Sequence, residues 1–421
     1  MRDTRHVTAT YYIESDGDPS RAAALLAGEQ SSGTFVDVPN ESDRIREQHG
    51  AQVRCIRELG SVPPSLPSRS KPERVTAAEI LIEFPVRNVG TDLATLITMV
   101  AGNLFELGGL YACRLQALDL PEEFTSGHPG PAYGVGRTRD LIDRPTGALI
   151  GTIVKPNVGL VEDEFRSVVR ELAMAGIDFI KDDELMTNPS YLPLETRVRV
   201  ATEEIRAAEQ MTGKSTMFAF NITGDLAGLR SRHDFVVEAG GTCVMLNVPI
   251  MGIPALELLR SFAAVPIHAH RAGLAGAMRH PALGVDYRVW QKFARLAGAD
   301  HIHVSGLGSK FYERDEQVTA NIRSLQESFG PGESPLPTLS SGQNVGTIAP
   351  TYQALESTDL LMLAGGGIAA HPGGPTAGVR SLRQAWDAAI GGRPLSDAAR
   401  SLEADGDPAL AQAAAAFGAA L

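Results

Sequence analysis

Two charged segments of this sequence stand directly after short apolar runs. Lys155 follows the run Ala148–Val154, and Lys181-Asp182-Asp183-Glu184 follows Ile177–Ile180. The amine of lysine can lose its proton in a suitable environment and act as a base, whereas arginine stays charged. Only six of the 38 basic residues are lysines, and two of those six, Lys155 and Lys181, end apolar runs. This placement favours chemistry, although the acidic segment alone is also typical of a solvated turn between a strand and a helix.

The two adjacent carboxylates indicate a metal site. Asp183 and Glu184 are hard oxygen ligands, which suit Mg²⁺ better than zinc. A third oxygen ligand could come from Lys181 if CO₂ carbamylated its amine and so turned the cation into an anion. Such a metal ion would stabilise negative charge on an enolate formed beside a ketone. Lys155 could then act as the general base that takes the proton alpha to that carbonyl.

Two His-x-His pairs add candidate ligands. They are His268 with His270 and His301 with His303. Residues i and i+2 of a strand share a face, so either pair could bind zinc, but no thiolate or third ligand is spaced to complete the site. We therefore expect these histidines to contact an anionic group or pack in the core, and keep zinc as the alternative.

The elements that must position these residues form a regular series in the second part of the chain. Eight strand-like apolar runs alternate with amphipathic helical stretches, which predicts a closed (β/α)₈ TIM barrel of about 250 residues. An open doubly wound sheet is the competing fold, but it usually carries GxGxxG after its first strand, and that motif is missing here. The predicted strands are Ala148–Val154, Ile177–Ile180, Met217–Phe220, Thr242–Asn247, Val265–His268, His301–Val304, Leu336–Leu339 and Leu360–Leu363. The predicted helices include Glu162–Met174, Leu194–Thr212, Arg232–Ala239, Ala255–Phe262 and Tyr287–Leu296.

The chain before the barrel has a different pattern and predicts a separate domain. Strands and helices occur there without βαβ regularity, which indicates an α+β (ferredoxin-like) domain. We place this domain at residues 1–140 and the barrel domain at residues 141–421, with the Gly- and Pro-rich stretch 121–145 as the linker. The predicted strands are Val7–Ile13, Gln52–Leu59 and Ala78–Phe84, and the predicted helices are Pro19–Gly28 and Thr91–Ala101.

The polar residues after the barrel strands must share one mouth, because a TIM barrel has its active site at the carboxyl ends of its strands. After the seventh and eighth strands come Ser341-Gly342 and Gly365-Gly366-Gly367. Their backbone N–H groups could bind phosphate, with a plain tight turn as the alternative for the triple glycine. Arg271 and His303 could hold a second anionic group at the far end of the substrate.

Composition excludes several other classes of protein. A net charge of −12 and the lack of a basic run argue against nucleic-acid binding. The three cysteines lie far apart without a CxxC, as is typical of a reducing cytoplasm. No run reaches about 18 apolar residues, and the first residues lack a signal-peptide pattern. We therefore expect a soluble cytoplasmic protein that binds neither membranes nor nucleic acids.

Several segments together resemble the large subunit of ribulose-1,5-bisphosphate carboxylase/oxygenase, RuBisCO. The likeness extends from Glu29-Gln-Ser-Ser-Gly-Thr-Phe35 to Gly365-Gly-Gly-Ile368. It implies a homodimer whose active sites lie between one barrel and the N-terminal domain of the partner, and Mg²⁺ bound by Asp183, Glu184 and a Lys181 carbamylated by CO₂. The motifs that carry the resemblance are Gly151-Thr-Ile-Val-Lys-Pro156, Gly176-Ile-Asp-Phe-Ile-Lys-Asp-Asp-Glu184, His268-Ala-His-Arg271, His301-Ile-His303 and Ser341-Gly342.

The resemblance also implies roles for individual residues. Lys155 matches the enolising lysine of the family, and His270 and Lys310 stand with it as catalytic residues. The residues that the partner subunit would contribute are Glu29, Thr34 and Asn103. One phosphate site would consist of Arg271, His303 and Ser341, with Gly342 beside them, and the other of Gly366 and Gly367.

Departures from the carboxylases are concentrated in the parts that handle CO₂. Asn157 replaces the second lysine of Lys-Pro-Lys, so a cation that supports CO₂ addition is gone. Phe35 replaces a tryptophan, Gln343 replaces a glycine, and Val304-Ser-Gly-Leu-Gly-Ser309 replaces the usual flexible-loop sequence before Lys310. Because the metal and enolisation residues remain, the chain resembles the form IV RuBisCO-like proteins.

This resemblance implies two enzymatic hypotheses. The first is a Mg²⁺-dependent enolase or isomerase of a phosphorylated keto sugar, for example a methylthio-pentulose phosphate in sulfur salvage, that does not carboxylate its substrate. The alternative is a decarboxylase or transcarboxylase of a 3-keto sugar-acid phosphate in branched-sugar catabolism. Carboxylation of ribulose bisphosphate ranks third. A sugar-phosphate sensor without turnover is the non-enzymatic rival.

Overall fold

The structure is a computed structural model that describes residues 6–33 and 39–418. Its contacts divide the chain into two compact units, Met1–Gly130 with Gly273–Ala297, and Pro131–Ala272 with Gly298–Leu421. The strands are β1 His6–Ser15, β2 Gln52–Val62, β3 Val75–Pro85, β4 Leu110–Asp119, β5 Leu149–Ile153, β6 Phe179–Lys181, β7 Met217–Asn221, β8 Cys243–Asn247, β9 Ile267–His270, β10 Leu283–Val285, β11 His301–His303, β12 Leu336–Leu339 and β13 Leu361–Leu363.

The helices are distributed over both units. They are α1 Pro19–Glu29, α2 Asp43–His49, α3 Leu93–Ala101, α4 Glu122–Thr125, α5 Gly134–Leu141, α6 Glu162–Met174, α7 Leu194–Thr212, α8 Leu229–Glu238, α9 Val248–Met251, α10 Ile253–Arg260, α11 Ala275–Met278, α12 Tyr287–Leu296, α13 Asp315–Gln326, α14 Val345–Leu355, α15 Gly365–Ala369, α16 Gly374–Ile390, α17 Leu395–Ala404 and α18 Ala409–Ala416. None of these helices combines the length and the apolar composition that a membrane crossing needs.

The first unit is an α+β fold, as the sequence predicts. Its sheet has the order β10-β4-β1-β3-β2, and β1 lies antiparallel to both β3 and β4. Along β1, Val7, Ala9, Tyr11 and Ile13 are fully buried, which is the alternation of a strand with one covered face. The Tyr11 hydroxyl donates to Val100 O of α3 at 2.9 Å and so attaches this helix to the sheet. Strand β4 was not predicted, because its first four residues are all buried and lack alternation.

The second unit is the predicted closed barrel. Eight parallel strands follow the order β5-β6-β7-β8-β9-β11-β12-β13, and β13 pairs with β5 to close the ring. This closure excludes the doubly wound alternative. All eight predicted strands overlap the observed ones, and α6 and α7 begin and end as predicted. Helix α12 also has its predicted bounds, although its contacts assign it to the first unit.

Side chains fill the barrel interior in layers. His268 of β9 and His301 of β11 are paired in register, and their rings lie 5.5 and 5.7 Å from that of Phe179 on β6. His270 and His303 come two residues later on the same faces, and their ring centres are 4.5 Å apart. Because residues i and i+2 share a face, each His-x-His pair contributes one residue to the core and one to the layer nearer the mouth.

The stretch 121–145 is not an open linker, so that prediction was wrong. It contains α4 and α5, and Val135 N of α5 donates to Ser334 O at 2.8 Å. Gly134 has φ +50, and an added Cβ would lie 2.3 Å from Ser334 O, so close packing requires glycine there. Glycine required by packing looks the same in a sequence as glycine required by a loop. The contacts of the chain divide the two units after Gly130, ten residues before the boundary that composition suggested.

Candidate active site

Lys155 follows β5 and is held by two oxygen acceptors. Its Nζ donates to Asn157 Oδ1 at 2.6 Å and lies 3.1 Å from Asp183 Oδ2. The side chain is 30% exposed, so the amine remains accessible. Gly365 lies against it, since an added Cβ there would be 3.3 Å from Lys155 Cε. The structure thus brings the predicted base together with a predicted metal ligand and with the turn after β13.

Lys181 ends β6 and is 1% exposed. Its Nζ donates to Asp182 O at 2.8 Å and lies 3.4 Å from Glu184 Oε2. Burial lowers the pKa of Lys181, although the charges of Glu184 and Asp183 oppose this effect. Because a lowered pKa favours the neutral amine, which is the nucleophilic form, this environment suits reaction with CO₂.

The residues at this position fit the Mg²⁺ that the family resemblance implies. Asp183 and Glu184 supply hard oxygen ligands on one turn. Lys181 Nζ lies 3.4 Å from Glu184 Oε2, so a carbamate on this lysine would place a further oxygen beside the two acids. In the described ranges, no three His, Cys, Asp or Glu side chains are grouped to hold a metal ion. The same finding gives the zinc alternative no support within those ranges.

A buried ion pair holds the acidic turn in place. Asp182 Oδ2 accepts from Arg197 Nε at 3.1 Å and from Asn221 N at 2.9 Å. Both charged side chains are at most 2% exposed. Arg197 also donates to the carbonyl oxygens of Met186 and Thr187, which fixes the loop after β6. Burial raises the pKa of Asp182 despite the charge of Arg197 beside it.

His270 connects the acidic turn to the next strands of the barrel. Its Nε2 lies 3.5 Å from Glu184 Oε2, and its Nδ1 accepts from Ala272 N at 3.2 Å. Burial, with the charge of Lys181, lowers the pKa of His270 well below its ordinary value. A neutral ring that accepts at Nδ1 carries its proton on Nε2, the nitrogen that lies 3.5 Å from Glu184 Oε2. Beyond His270, the Nδ1 of His303 lies 3.5 Å from Ser340 Oγ.

The core histidines His268 and His301 are not at the mouth. His301 Nε2 lies 2.9 Å from Thr138 Oγ1 of α5, on the side where that helix packs. Burial lowers the pKa of His301 to about 3, and burial also lowers the pKa of His268. Both rings are therefore neutral packing groups, as the sequence analysis allowed.

Arg271, predicted to bind phosphate, is paired with a carboxylate in this structure. Its Nη1 donates to Glu313 Oε1 at 3.2 Å, and its Nη2 also contacts Glu313. Nη2 further donates to Ser305 Oγ at 2.7 Å. Glu313 lies in the loop before α13 and was not predicted as a site residue.

The two predicted phosphate turns differ in their geometry. Ser341 and Gly342 both have positive φ, +76 and +88, a conformation that is uncommon for a residue other than glycine. An added Cβ at Gly367 would lie 2.4 Å from Gln343 O, whereas at Gly366 it would meet no atom within 4 Å. Gly367 is therefore required for packing, and Gly366 borders open space that a ligand can approach.

The backbone of Lys310 contacts this site, but its side chain lies on the exposed surface. Its backbone N donates to Ser341 O at 3.2 Å, which joins the loop after β11 to the turn after β12. Its side chain is exposed, with Nζ 5.9 Å from the centre of the Phe311 ring.

Two of the departures from the carboxylases pack against each other. Gln343 is buried, and its Nε2 donates to Leu307 O at 3.3 Å. An added Cβ at Gly306 would lie 2.0 Å from Gln343 Nε2. The changed loop 304–309 and the glutamine that replaces a glycine therefore form one packing unit.

The residues predicted to act in a partner's site lie in the first unit. Glu29 ends α1, and Asn103 begins the 3₁₀ helix Asn103–Glu106. Their segments are neighbours, because an added Cβ at Gly102 would lie 3.4 Å from Gln30 Nε2. Thr34 and Phe35 lie outside the described residues.

Sequence reasoning missed two charged residues that organise the site. Arg197 lies on the buried face of α7, between Leu194 and Val198, and a charge within an apolar stripe could have indicated a buried pair. Glu313 stands in a loop, where a single acidic residue has no pattern that distinguishes it.

Family models match nearly the whole chain. The model of the ribulose bisphosphate carboxylase large chain N-terminal domain matches residues 1–124, and that of the catalytic domain matches residues 134–417.

Similar proteins cover the chain to the same extent. A 3-oxo-isoapionate-4-phosphate transcarboxylase/hydrolase of Xanthobacter autotrophicus is 43% identical over 413 residues, which are 97% of this chain and 99% of that protein. A 3-oxo-isoapionate-4-phosphate decarboxylase of Rhizobium etli is 39% identical over 393 residues, 92% of this chain and 94% of that protein. The crystal structure of a rubisco-like protein from Burkholderia fungorum has a TM-score of 0.91 and 41% identity, and the match covers 98% of this chain and 99% of that one.

Proposed function

Since this chain belongs to the RuBisCO large-chain family as a RuBisCO-like protein, we propose that it removes or transfers the carboxyl group of a phosphorylated 3-keto sugar acid. The observation that carries this proposal is the similarity, over nearly the full length, to relatives named for 3-oxo-isoapionate 4-phosphate. It favours the alternative that the sequence left open over our first hypothesis, the enolisation or isomerisation of a methylthio-pentulose phosphate. The names of these relatives also support an enzyme over a sensor.

Decarboxylation of a 3-keto acid needs groups of the kind found around Lys155, Asp183 and Glu184. The bond between C1 and C2 breaks, C1 leaves as CO₂, and the electron pair moves towards the C3 carbonyl, whose oxygen becomes negative. C2 then takes a proton, which leaves a ketone. Groups that stabilise the negative oxygen and supply the proton lower the barrier. A decarboxylase can therefore use the same residues as an enolising enzyme.

We assign the proton transfer to Lys155. Its ammonium is held between Asp183 and Asn157 and is still accessible, so it would deliver the proton to C2. Mg²⁺ bound by Asp183, Glu184 and a carbamylated Lys181 would supply positive charge for the developing oxyanion. His270 would keep Glu184 oriented through its Nε2–H.

Asn157 supports bond cleavage over bond formation. In the carboxylases a second lysine at this position supports the addition of CO₂. Here a neutral amide accepts a hydrogen bond from Lys155 at 2.6 Å. Without a second cation, CO₂ that has left the substrate is not held near the reactive carbon, so its loss is favoured.

The proposed phosphate site lies at the turns after β12 and β13. Gly366 offers its backbone N–H beside open space, Ser341 and Gly342 form the neighbouring turn with positive φ, and Gly367 keeps the second turn packed. We further propose a homodimer in which Glu29, Thr34 and Asn103 of the partner subunit complete the site.

The test compares the candidate reactions directly. Purified protein with Mg²⁺ and bicarbonate is given 3-oxo-isoapionate 4-phosphate in D₂O, and CO₂ release and deuterium at C2 of the product are measured. If the carboxyl group is removed, we expect one CO₂ and one deuterium per turnover. If it is transferred, we expect the keto acid to be consumed without release of CO₂. Deuterium exchange into a methylthio-pentulose phosphate, without CO₂ release from the keto acid, would instead support the first hypothesis. Fixation of labelled CO₂ onto ribulose bisphosphate would indicate a carboxylase.

A further inference from the structure

Asn247 ends β8 with a buried side-chain oxygen that has no hydrogen-bond partner. The residue is 7% exposed, and its Oδ1 accepts no hydrogen bond from any residue that the structure describes. Its backbone N, in contrast, donates to Thr223 Oγ1 at 2.9 Å. Buried polar side-chain atoms nearly always have a partner, so an exception of this kind needs a reason.

The side chain of Asn247 belongs to the inward-facing layer nearest the mouth of the barrel. Cys243 and Met245, earlier on β8, are part of a buried cluster to which strands from around the barrel contribute. Residues two apart on a strand share a face, so Asn247 faces inward as well. It stands at the carboxyl end of its strand, where barrel active sites lie, and is paired in register with His270 of β9.

Glu184 contacts the strands on both sides of β8. Its backbone O accepts from Asn221 Nδ2 of β7 at 3.2 Å, and its Oε2 lies 3.5 Å from His270 Nε2 of β9. In the barrel, β8 lies between β7 and β9. The amide of Asn247 therefore lies on the same side of the mouth as the acidic turn that we assign to the reaction.

Asn221, at the end of the neighbouring strand, is an asparagine whose amide is used within the protein. Its Nδ2 donates to Asp183 O and Glu184 O, and its Oδ1 accepts from Thr223 N at 3.1 Å. Both ends of this amide thus hold the chain in place. The amide of Asn247 keeps an end that no described residue pairs with, so that end is left for a ligand.

The unpaired end of Asn247 suits a hydroxyl group. The amide is uncharged, and a hydroxyl group can donate to its oxygen or accept from its nitrogen, whichever of the two faces the mouth. A carboxylate or a fully ionised phosphate has no proton to donate to the oxygen. A sugar acid phosphate carries hydroxyl groups along its carbon chain in addition to these two anionic ends.

We propose that Asn247 is a substrate-binding residue whose amide binds one hydroxyl group of the sugar chain, so that the enzyme selects hydroxylated substrates against analogues that lack this group. This role rests on the proposed function, whose substrate supplies the hydroxyl group.

The test measures binding without turnover. A pentitol 5-phosphate and its analogues that each lack one hydroxyl group are titrated by calorimetry into protein with Mg²⁺ and bicarbonate. We expect the wild-type protein to bind one of these analogues about tenfold more weakly than the parent, because the buried amide then stays unpaired. In Asn247→Leu, whose apolar side chain has a similar shape, this analogue should bind within about twofold of the parent. The ratios for the other analogues should not change.

Gln384→Leu is the matched control. Gln384 lies on α16, outside the ring of barrel strands, and its Oε1 is also buried without a partner among the described residues. This variant removes a comparable amide away from the mouth and should keep every wild-type ratio. Asn247→Ala, with a smaller side chain, shows whether leucine merely blocks the ligand, and we expect it to lose the same discrimination.

Several results would overturn the proposal. They are wild-type protein that binds no probe or shows no penalty for any analogue, Asn247 variants that weaken the parent and all analogues equally, and an equal loss of discrimination in Gln384→Leu. Failure of both Asn247 variants to fold would assign the amide to the fold and also overturn it. Because no turnover is involved, a failure to release CO₂ would leave the binding result standing and would count only against the proposed function.

Discussion

At the scale of single residues, the site combines a fixed proton donor, Lys155, with a second lysine, Lys181, that can change its charge. Lys181 as a cation pairs with Glu184 at 3.4 Å. As a carbamate it would place a third negative charge beside Asp183 and Glu184, which only a bound cation could balance. We therefore expect carbamylation of Lys181 and binding of Mg²⁺ to occur together, since metal ligands must be in their anionic form.

Lys155→Met should abolish turnover and leave binding intact. The variant removes the amine that we assign to proton delivery but keeps the length of the side chain. Loss of a general acid or base typically lowers kcat on the order of 10²-fold or more. The measurement is CO₂ release from the 3-keto acid phosphate together with calorimetric binding of a pentitol 5-phosphate. Lys214→Met, at an exposed lysine after α7, is the control with full activity. Undiminished turnover in Lys155→Met would contradict the assigned role. Wild-type protein that binds the phosphate ligand but turns over none of the candidate substrates would support the hypothesis of a sugar-phosphate sensor.

At the scale of elements, the layers of the barrel divide residues that the sequence presents as pairs. Two residues along a strand return to the same face but advance one layer. On β9 and β11 the first histidine of each pair packs with Phe179, and the second faces the site. On β6, Phe179 likewise lies in the core layer, and Lys181, two residues later, lies in the layer nearer the mouth. The position of a histidine within its strand, and not its identity, therefore decides whether it packs or participates in the site.

His301→Gln should flatten the acid dependence of stability. The pKa of His301 is about 3 in the folded protein because of burial, and about 6.5 in an unfolded chain. Below about pH 6.5 the unfolded chain binds a proton that the folded chain does not. The contribution of His301 is therefore present above that pH and lost as the pH falls, at about 1.4 kcal/mol per pH unit. Denaturant unfolding at several values between pH 4 and 6 should show a shallower slope in this variant.

Thr138→Ala is the control for His301→Gln. It removes the hydroxyl that lies 2.9 Å from His301 Nε2 but keeps the buried ring. Since burial is the cause of the lowered pKa, this variant should lose stability at every pH and keep the wild-type slope. An equal change of slope in both variants would show that the hydrogen bond, and not burial of the imidazole, couples stability to pH.

At the scale of the whole molecule, the proposed homodimer makes each site depend on two chains. Lys155 lies in the second unit, and Asn103 lies in the first. If each site takes these residues from different subunits, a dimer of one Lys155→Met chain and one Asn103→Ala chain contains one site with both changes and one with neither.

Mixed dimers should therefore recover activity that neither variant has alone. The two variants are co-expressed with different affinity tags, and the doubly tagged dimers are isolated and assayed for CO₂ release. We expect each parent variant to be nearly inactive and the mixed dimers to be clearly active. Mixed dimers no more active than the parents would contradict shared sites, and elution as a monomer would contradict the dimer itself.

Features of the fold that depend on neighbours in the sequence could be predicted, whereas features that depend on contacts between distant residues could not. The barrel strands were predicted because a parallel strand is buried on both faces and appears as a continuous apolar run. The polar residues at the mouth were predicted because they follow those runs directly. The linker prediction failed at Gly134, whose requirement for glycine comes from Ser334, far away in the chain. Strand β4 was missed because its burial depends on neighbours that its own pattern does not reveal.

The sequence by itself determined that this is an α+β domain with a TIM barrel of the RuBisCO family, with Lys155, Lys181, Asp183 and Glu184 at the strand ends, because local periodicity and short motifs carry that information. Only the tertiary structure decided that Arg271 is neutralised by Glu313, 42 residues later, and that Arg197 fixes Asp182. These ion pairs join residues that are far apart in the sequence. They form only when different segments of the barrel come into contact in the folded protein, which no local sequence pattern predicts.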